Sequence, residues 1–265
     1  MLRFLALAAM LVAAVPTHAQ DYPARPVKII VPFAVGGPAD VYARVIGAKL
    51  SEALGQQVVV DNRPGAGAVV GTDAAAKSPA DGYTLLLTTS AYAVNVTLAP
   101  NGGFDPEKDI IPVAVMAKQA NLVFVHPSLP VKTLSELIAY GKTNKLAFAS
   151  PGSGTTPHLT AENLFNLGAK LGMTAIHFRG AGPAITAVVA NEPPVGAGAL
   201  STPLPFVKAG KLRALAISSE KRVAALPDVP TFAEAGFPGV TDETWIALFA
   251  PAGTPAPVVQ RLSDA

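Results

Sequence analysis

The chain has 265 residues, enough for one large or two medium domains at roughly 100–200 residues each. Half of these residues are hydrophobic and only 14% are charged, which supports a sizeable core and excludes a disordered chain. Cysteine is absent, and the net charge is +2 without any run of lysine or arginine. We therefore expect neither a disulfide nor a nucleic-acid partner.

The first residues follow the pattern of a secretory signal peptide. A short basic start, Met1–Arg3, precedes the apolar run Phe4–Val15, and small residues follow at Thr17 and Ala19. The apolar run is about twelve residues long, whereas a membrane-spanning helix needs roughly 20, so a membrane anchor is the alternative interpretation. We expect residues 1–19 to be removed by cleavage before Gln20, and the mature chain to be exported.

Strand and helix patterns alternate after this segment. Val27–Val31 has the composition of a strand, and Pro38 opens an apolar helical repeat that ends at Gly55, a residue type favoured just after a helix. The next predicted elements are a strand at 58–60, a helix at 69–77 and a strand at 84–88. This β-α-β-α-β order predicts parallel strands joined by right-handed crossovers.

The alternation restarts after Ile110 and predicts a second α/β unit. Its expected strands are 122–125, 146–150, 175–178, 195–200 and 212–218, and its expected helices are 133–142, 156–167 and 184–190. A last apolar strand is expected from Trp245 to Ala250. We infer two lobes, with residues 119–223 inserted into a lobe made of residues 20–118 and 224–265. Since only an amphipathic stretch at 255–265 follows, we expect the C-terminal part of the first lobe to be truncated.

Two glycine-rich segments follow predicted strands and open predicted helices, the position at which open α/β sheets bind ligands. In the first, Gly36 and Gly37 permit a tight turn, and the helix start beyond them offers free N–H groups and a partial positive charge to an anion. Asp40 falls in the first helical turn, where a carboxylate is also favoured as a cap. The alternative is an ordinary strand-to-helix turn.

The second segment runs from Ser150 to His158 and combines glycines with hydroxyl side chains near one point. His158 is expected in the first helical turn, either in contact with a ligand or buried and bonded to a neighbouring loop. Arg179 ends a later predicted strand on the same side of the sheet. It either pairs with a carboxylate or forms a surface salt bridge.

Common catalytic and cofactor motifs are missing from the sequence. Gly65, Gly67 and Gly71 are spaced partly like a dinucleotide fingerprint, but Arg63 and Pro64 separate them from the preceding strand, and no acidic residue closes the next one. There is no Gly-Lys-Ser/Thr phosphate loop, no His-Glu-x-x-His pair and no Gly-x-Ser-x-Gly elbow. We expect a binding protein without catalytic residues, metal or cofactor.

Several motifs occur in a fixed order along the chain. They are residues 31–40, Asp61–Gly67, Pro79–Leu86, His126–Pro130, Ser150–His158, Lys208–Ala216 and Leu226–Thr231. Through these motifs the chain from Tyr22 onward resembles the substrate-binding proteins of tripartite tricarboxylate transporters, the Bug family. The resemblance implies a type II-like periplasmic binding protein fold, in which two α/β lobes close like a Venus flytrap on a ligand cleft.

The resemblance also implies a function and a site. Proteins of this family are periplasmic receptors that bind a small organic carboxylate and deliver it to membrane permease subunits, and we expect a monomer. Together with the residues singled out above, the expected ligand-binding set is Phe33, Ala34, Gly36, Gly37, Asp40, Thr89, Ser90, Ser150, Gly154, Thr155, Thr156, His158, Arg179, Gly198 and Ala199.

One departure from the family narrows the expected ligand. Many members carry an aspartate at the position of Gly198, where it can meet the α-ammonium group of an amino acid. Because this carboxylate is missing, we expect a mono- or dicarboxylate or an aromatic acid. Two other functions stay open, namely a periplasmic sensor of the same fold that signals to a membrane partner, and an α/β enzyme built around His158 and nearby hydroxyls.

Overall fold

The computed structural model describes residues 22–265. The predicted signal peptide, residues 1–19, and its cleavage point before Gln20 lie outside this range. Within the range, no helix combines the length and the apolarity that crossing a membrane requires.

In this part of the chain, nine strands form one mixed sheet. They are β1 (Val27–Val31), β2 (Val58–Asn62), β3 (Thr84–Thr89), β4 (Ile110–Val125), β5 (Ala147–Ser150), β6 (Thr174–His177), β7 (Val195–Ala199), β8 (Arg213–Ile217) and β9 (Glu243–Pro251). Their order is β2-β1-β3-β9-β4-β7-β5-β6, and β8 pairs with β4. β1 is parallel to both β2 and β3, which confirms the predicted parallel strands, whereas β9 returns antiparallel between β3 and β4.

Helices cover both faces of the sheet. They are α1 (Pro38–Leu54), α2 (Val69–Ala76), α3 (Ala91–Leu98), α4 (Leu134–Gly141), α5 (Thr156–Ala161), α6 (Ala181–Val189), α7 (Leu204–Lys208) and α8 (Ala256–Asp264). The left-handed backbone of Gly55 (φ 67°) ends α1, as the sequence predicts. α5 continues directly into a π-helical segment, Glu162–Gly168.

β4 is a long strand that joins the two halves of the sheet. Its first part, 110–120, pairs with β9, and its last part, 121–125, pairs with β7 and β8. Sequence periodicity predicts only the last part, because Pro112 and two register shifts interrupt the alternation upstream. Sequence analysis also misses α3, which is rich in poor helix formers, and α7, which is only five residues long.

Each half of the sheet packs its own buried core. In the first half, Ile29 and Leu248 are fully buried among residues of β1, β3, β9, α1 and α8. In the second half, Phe148 and Phe165 are fully buried among residues of β4, β5, β7, α4 and the α5 extension. We call these halves the first lobe and the second lobe.

The segment between β8 and β9 packs on the second lobe. Phe232 is fully buried in the core that holds Phe148, and Val240 lies in the same core. The structure therefore places the return to the first lobe at Glu243, the start of β9, rather than at residue 224. The reason is apolar burial, since the side chains of this segment cover part of the second core.

Polar side chains tie together the two points at which the chain crosses between the lobes. Asn121 Nδ2 donates to Asp242 Oδ1 at 2.7 Å and to Thr160 Oγ1 at 3.1 Å. Thr244 Oγ1 donates to Asn121 Oδ1 at 2.7 Å, and Thr160 Oγ1 lies 2.6 Å from Asp242 Oδ2. This crossover network connects β4 and the start of β9 to α5, the helix that follows the second glycine-rich segment.

Candidate functional site

A small cavity lies where the two lobes meet. The first lobe lines it with Phe33, Gly37, Pro38, Ala39, Thr89 and Thr244, and the second lobe with Pro151, Thr155, Pro157, Ala181 and Ala199. These lining residues, all in the described range, include no basic and no acidic side chain. Whatever the cavity binds must be held by backbone groups, hydroxyls and apolar contact.

The N-terminus of α1 forms one side of the cavity. Gly36 has a left-handed backbone (φ 83°), and the first helical hydrogen bond runs from Val41 N–H to Gly37 C=O at 3.0 Å. The N–H groups ahead of Val41 have no partner inside the helix, and the positive end of the helix dipole lies behind them. This helix start, which the sequence predicts, is suited to hold an anion.

Asp40 shapes the turn before α1 and does not line the cavity. It is 4% exposed, its Oδ2 accepts the Gly36 N–H at 3.0 Å, and Arg44 Nη2 donates to its Oδ1 at 2.9 Å. Burial raises the pKa of the Asp40 carboxyl, but the hydrogen bonds from Arg44 and Gly36 outweigh burial and hold that pKa below its ordinary value. Asp40 thus fixes the turn ahead of the N-cap residue Gly37 rather than capping the helix itself, and Arg44 balances its charge.

The loop after β5 forms the opposite side of the cavity. Thr155 Oγ1 donates to Gly152 C=O at 2.8 Å, and the buried Ser150 hydroxyl is bonded within the same loop. The first helical hydrogen bond of α5 runs from Leu159 N–H to Thr155 C=O at 3.1 Å. The loop therefore presents a second helix start to the cavity, with Thr155 and Pro157 in the lining.

His158 supports this loop from within the second lobe. Its Nδ1 accepts the Gly154 N–H at 3.3 Å, its Nε2 lies 3.7 Å from Glu162 Oε1, and its ring meets the His177 ring edge-on. Burial and the neighbouring His177 lower the pKa of His158, and Glu162 offsets part of this effect. Because the neutral ring can accept the Gly154 N–H, the geometry matches the alternative in which His158 is bonded to a loop.

A third helix start reaches the cavity from α6. Ala181 lines the cavity, and the first helical bond of α6 runs from Ala184 N–H to Gly180 C=O at 3.4 Å. Sequence analysis predicts this helix at 184–190 but does not single out its start as part of the site, although a glycine after β6 and Pro183 in the first turn were available as signals. Three helix starts therefore converge on the cavity, an arrangement that attracts an anion without a basic side chain.

The lobes touch each other around the cavity. Ala34 N–H donates to Arg179 C=O at 2.9 Å, and the hydroxyls of Ser90 and Thr156 are bonded to each other across the cleft. Ser90 and Thr156, both expected in the site, thus hold the lobes together in this arrangement. The cleft between the lobes is closed in this structure.

Two glycines allow this close approach. A Cβ on Gly67 of the first lobe would lie 2.1 Å from the carbonyl oxygen of Ser153 in the second. A Cβ on Gly182 of the second lobe would lie 2.5 Å from the carbonyl oxygen of Val35 in the first. Neither contact belongs to the cavity lining, so closure depends on residues other than those that surround the ligand position.

Arg179 lies outside the main cavity. Arg179 lines a neighbouring cavity together with the loop 65–68, and Phe33 and Pro151 belong to the walls of both cavities. Phe33 and Pro151 therefore stand between Arg179 and the main cavity. Its expected pairing with a carboxylate in the main cavity has no geometric support here, while its backbone carbonyl contributes to lobe contact.

Gly198 and Ala199 face opposite sides of β7. A Cβ on Gly198 would lie 3.4 Å from the Phe124 ring, inside the second lobe, whereas Ala199 lines the cavity. Successive residues of a strand alternate between its two faces, so the position one residue after Gly198 is the one whose side chain meets the cleft. The main cavity has no carboxylate at either position.

Apart from Gly198, which faces Phe124 inside the second lobe, the expected site residues fall into three groups. Those in the cavity lining are Phe33, Gly37, Thr89, Thr155 and Ala199. Those in the interlobe contacts are Ala34, Ser90, Thr156 and Arg179, and those that shape the adjoining loops are Gly36, Asp40, Ser150, Gly154 and His158. Lining residues that sequence analysis did not single out are Pro38, Ala39, Pro151, Pro157, Ala181 and Thr244.

Comparison with known proteins decides the family. The model of the tripartite tricarboxylate transporter family receptor matches residues 42–265. The chain belongs to this family. Protein BugT of Bordetella pertussis is 40% identical over 271 residues, an alignment that covers 99% of this chain and 83% of BugT.

Solved structures of similar proteins have the same fold. The periplasmic binding protein BugD is 32% identical and superposes with a TM-score of 0.88, over 91% of this chain and 81% of its own. The protein Rpa4515 of R. palustris, solved with adipate, is 37% identical with a TM-score of 0.87, over 91% of this chain and 82% of its own. The tripartite tricarboxylate transporter receptor family and the two-lobed periplasmic binding protein fold, both implied by the sequence motifs, are confirmed.

Proposed function

We propose that this receptor captures a small organic carboxylate in the periplasm and delivers it to the permease subunits of a tripartite membrane transporter. The observation that carries the proposal is the cavity at three converging helix starts, in the cleft between the lobes. Such a site holds an anion through backbone N–H groups and helix dipoles. The signal-peptide pattern in residues 1–19 and the family of the chain support the periplasmic location.

Ligand binding and lobe closure are coupled in this proposal. The cavity wall comes from both lobes, with Gly37 and Thr89 on one side and Thr155 and Ala181 on the other. A ligand that contacts both walls stabilises the closed arrangement over the open one, and the permease subunits then distinguish the two forms. We further propose that the receptor acts as a monomer and by binding alone, without turning over its ligand.

A thermal-shift screen of organic acids tests ligand capture. A carboxylate present at a hundredfold excess over its dissociation constant should stabilise the protein by about 2.7 kcal/mol. The variant Ala199→Val, which narrows the cavity, should lose this stabilisation. Ala209→Val adds the same atoms at an exposed position and should keep it. A screen in which no acid raises the melting temperature of a folded sample would refute capture of a carboxylate.

Delivery needs a separate test. Cells that express the permease subunits should take up the identified acid only when this receptor is present. Binding in vitro without any effect of the receptor on uptake would contradict delivery while leaving capture intact. Light scattering on the purified protein checks the monomer, and recovery of the unchanged acid after long incubation checks that no turnover occurs.

A further inference from the structure

Building on the proposed function, we propose that His158 is a positioning residue for ligand capture. Its neutral ring fixes Gly154 against the first lobe, and protonation of this ring weakens lobe closure and ligand binding in acid. Two observations carry the inference, namely the bond between the two residues and the contact that Gly154 makes with the opposite lobe.

Gly154 lies in the contact between the lobes. A Cβ on this residue would lie 2.9 Å from Asn95 Oδ1 and 3.3 Å from Leu98 Cδ1, both on α3 of the first lobe. Asn95 is 7% exposed, and its Nδ2 donates to Gly67 C=O at 2.8 Å. Gly67 in turn contacts Ser153, the neighbour of Gly154 in the chain. A displacement of Gly154 would therefore disturb the contact that closes the cleft.

The ring of His158 holds Gly154 through a bond that requires an unprotonated Nδ1. Nδ1 accepts the Gly154 N–H at 3.3 Å, so the single hydrogen of the neutral ring lies on Nε2, which is 3.7 Å from Glu162 Oε1. A proton added to Nδ1 would place two donors opposite each other. The bond would then be lost, and either the ring or the loop would have to move.

Two titratable groups in the described part of the chain act on this ring. His177 on β6 meets it edge-on, with ring centroids 4.7 Å apart, and Glu162 lies on the extension of α5. β5 contributes the uncharged Phe148 ring, and α3 contains no charged residue. Burial and His177 hold the pKa of His158 below its ordinary value, and Glu162 offsets part of this effect. The ring is therefore neutral in weak base and takes up a proton in acid.

Closure should lower the pKa of His158 further, because contact with α3 hinders the loop from moving away from an added proton. Closure is then fully favourable above the pKa of the open form and weakens as the pH falls through the range between the two pKa values. Each unit by which closure lowers this pKa raises the dissociation constant in acid about tenfold.

Titration calorimetry between pH 8 and pH 5 tests the inference, with adipate and the acids of the thermal-shift screen as probes. In the conservative variant His158→Asn, Oδ1 takes the place of Nδ1, accepts the Gly154 N–H and does not titrate. We expect the two proteins to bind alike at pH 8, and the dissociation constant of the wild type to rise about tenfold more at pH 5. Protonation of the probe affects both proteins equally and cancels in this ratio.

His126→Asn is the matched control. His126 Nδ1 also accepts a backbone N–H, from Ser128 at 3.2 Å, but neither residue lines the main cavity. This variant should keep the pH dependence of the wild type. A second measurement uses the wild type alone: by nuclear magnetic resonance, the pKa of the His158 ring should be lower with bound acid than without.

Each other result has a distinct meaning. Equal pH dependence in the wild type and in His158→Asn, or a pKa of His158 that binding leaves unchanged or raises, overturns the inference and leaves the proposed function standing. A pH dependence that persists in His158→Asn and disappears in His177→Asn also overturns it, because His177 is then the titrating group. If no probe binds to a folded sample at pH 8, the proposed capture of carboxylates fails, and the inference fails with it.

Discussion

Replacing Gly67 with alanine should weaken ligand binding although Gly67 does not line the cavity. A Cβ at this position would lie 2.1 Å from the Ser153 carbonyl oxygen of the opposite lobe. Comfortable carbon–oxygen contacts are about 3.3 Å long, so the lobes would have to separate by roughly 1 Å at this point. Overpacking of this kind costs about 1–3 kcal/mol. The cost falls on the closed form, because opening the cleft relieves the clash.

This cost converts directly into affinity. The apparent dissociation constant rises in inverse proportion to the fraction of protein that can close. At tenfold per 1.4 kcal/mol, Gly67→Ala should raise the dissociation constant by about 5- to 150-fold. Titration calorimetry with the best acid from the thermal-shift screen measures the change, and small-angle scattering should show a larger radius for the variant at equal ligand.

Gly172→Ala is the matched control. Gly172 has a backbone φ of 63°, against 62° for Gly67, but a Cβ on Gly172 would have no heavy atom within 4 Å. Both variants carry a similar strain of roughly 1–2 kcal/mol from the left-handed backbone, so their ligand-free stabilities should fall together. Only Gly67→Ala should lose affinity. If the two variants bind the acid equally well, the reasoning from the lobe contact is refuted.

Three variants probe other parts of the fold, each by urea unfolding of the ligand-free protein. Asp40→Ala should lower the free energy of unfolding by about 1–2 kcal/mol at pH 7. The folded-state pKa of Asp40 lies below its unfolded value, so this contribution is present above the unfolded pKa and is lost as the pH falls through the folded pKa. The free energies of unfolding of the wild type and of Asp40→Ala should therefore converge in acid and differ at neutral pH. Asp242→Ala removes the acceptor of Asn121 Nδ2 and should lower the free energy of unfolding by about 1–3 kcal/mol. Asp242→Asn should recover part of this loss, because its amide oxygen still accepts the hydrogen bond. Equal losses in the two variants would contradict the role of the acceptor. Phe232→Ala removes a side chain from the second core and should lower the free energy of unfolding by about 3–5 kcal/mol. A loss no larger than a surface substitution causes would contradict this packing.

Local patterns in the sequence predict most elements of the fold. The strands that begin at Val27 and Val58 and the helix that ends before Gly55 follow from periodicity and from a capping glycine, both of which are local. The placement of β9 between β3 and β4 depends on pairing between distant segments, which no local pattern encodes. For the same reason, the packing of Phe232 on the second lobe emerges only from the structure.

The candidate site, too, can be predicted from the sequence only where the signal is local. The helix starts after Gly37 and Thr155 are visible as glycine- and hydroxyl-rich turns, and both line the cavity. Thr244 is not predictable, because its place depends on the register of β9 and on its bond to Asn121. In β7, counting residues along the family motif places the aspartate position of the family at Gly198. The alternation of side chains along the strand instead directs the side chain of Ala199 to the cleft.

The continuity of β4 has a mechanical consequence. At about 3.3 Å per residue, a strand of 16 residues is roughly 50 Å long, and its two ends belong to different lobes. Cutting the chain between the lobes would sever this strand, whose first part pairs with β9 in the first lobe and whose last part pairs with both β7 and β8 in the second. Neither lobe is therefore a detachable module, and heat or denaturant should melt both in one cooperative transition. Motion of the lobes relative to each other must therefore bend and twist the continuous β4 strand. It cannot occur as free rotation about a flexible linker.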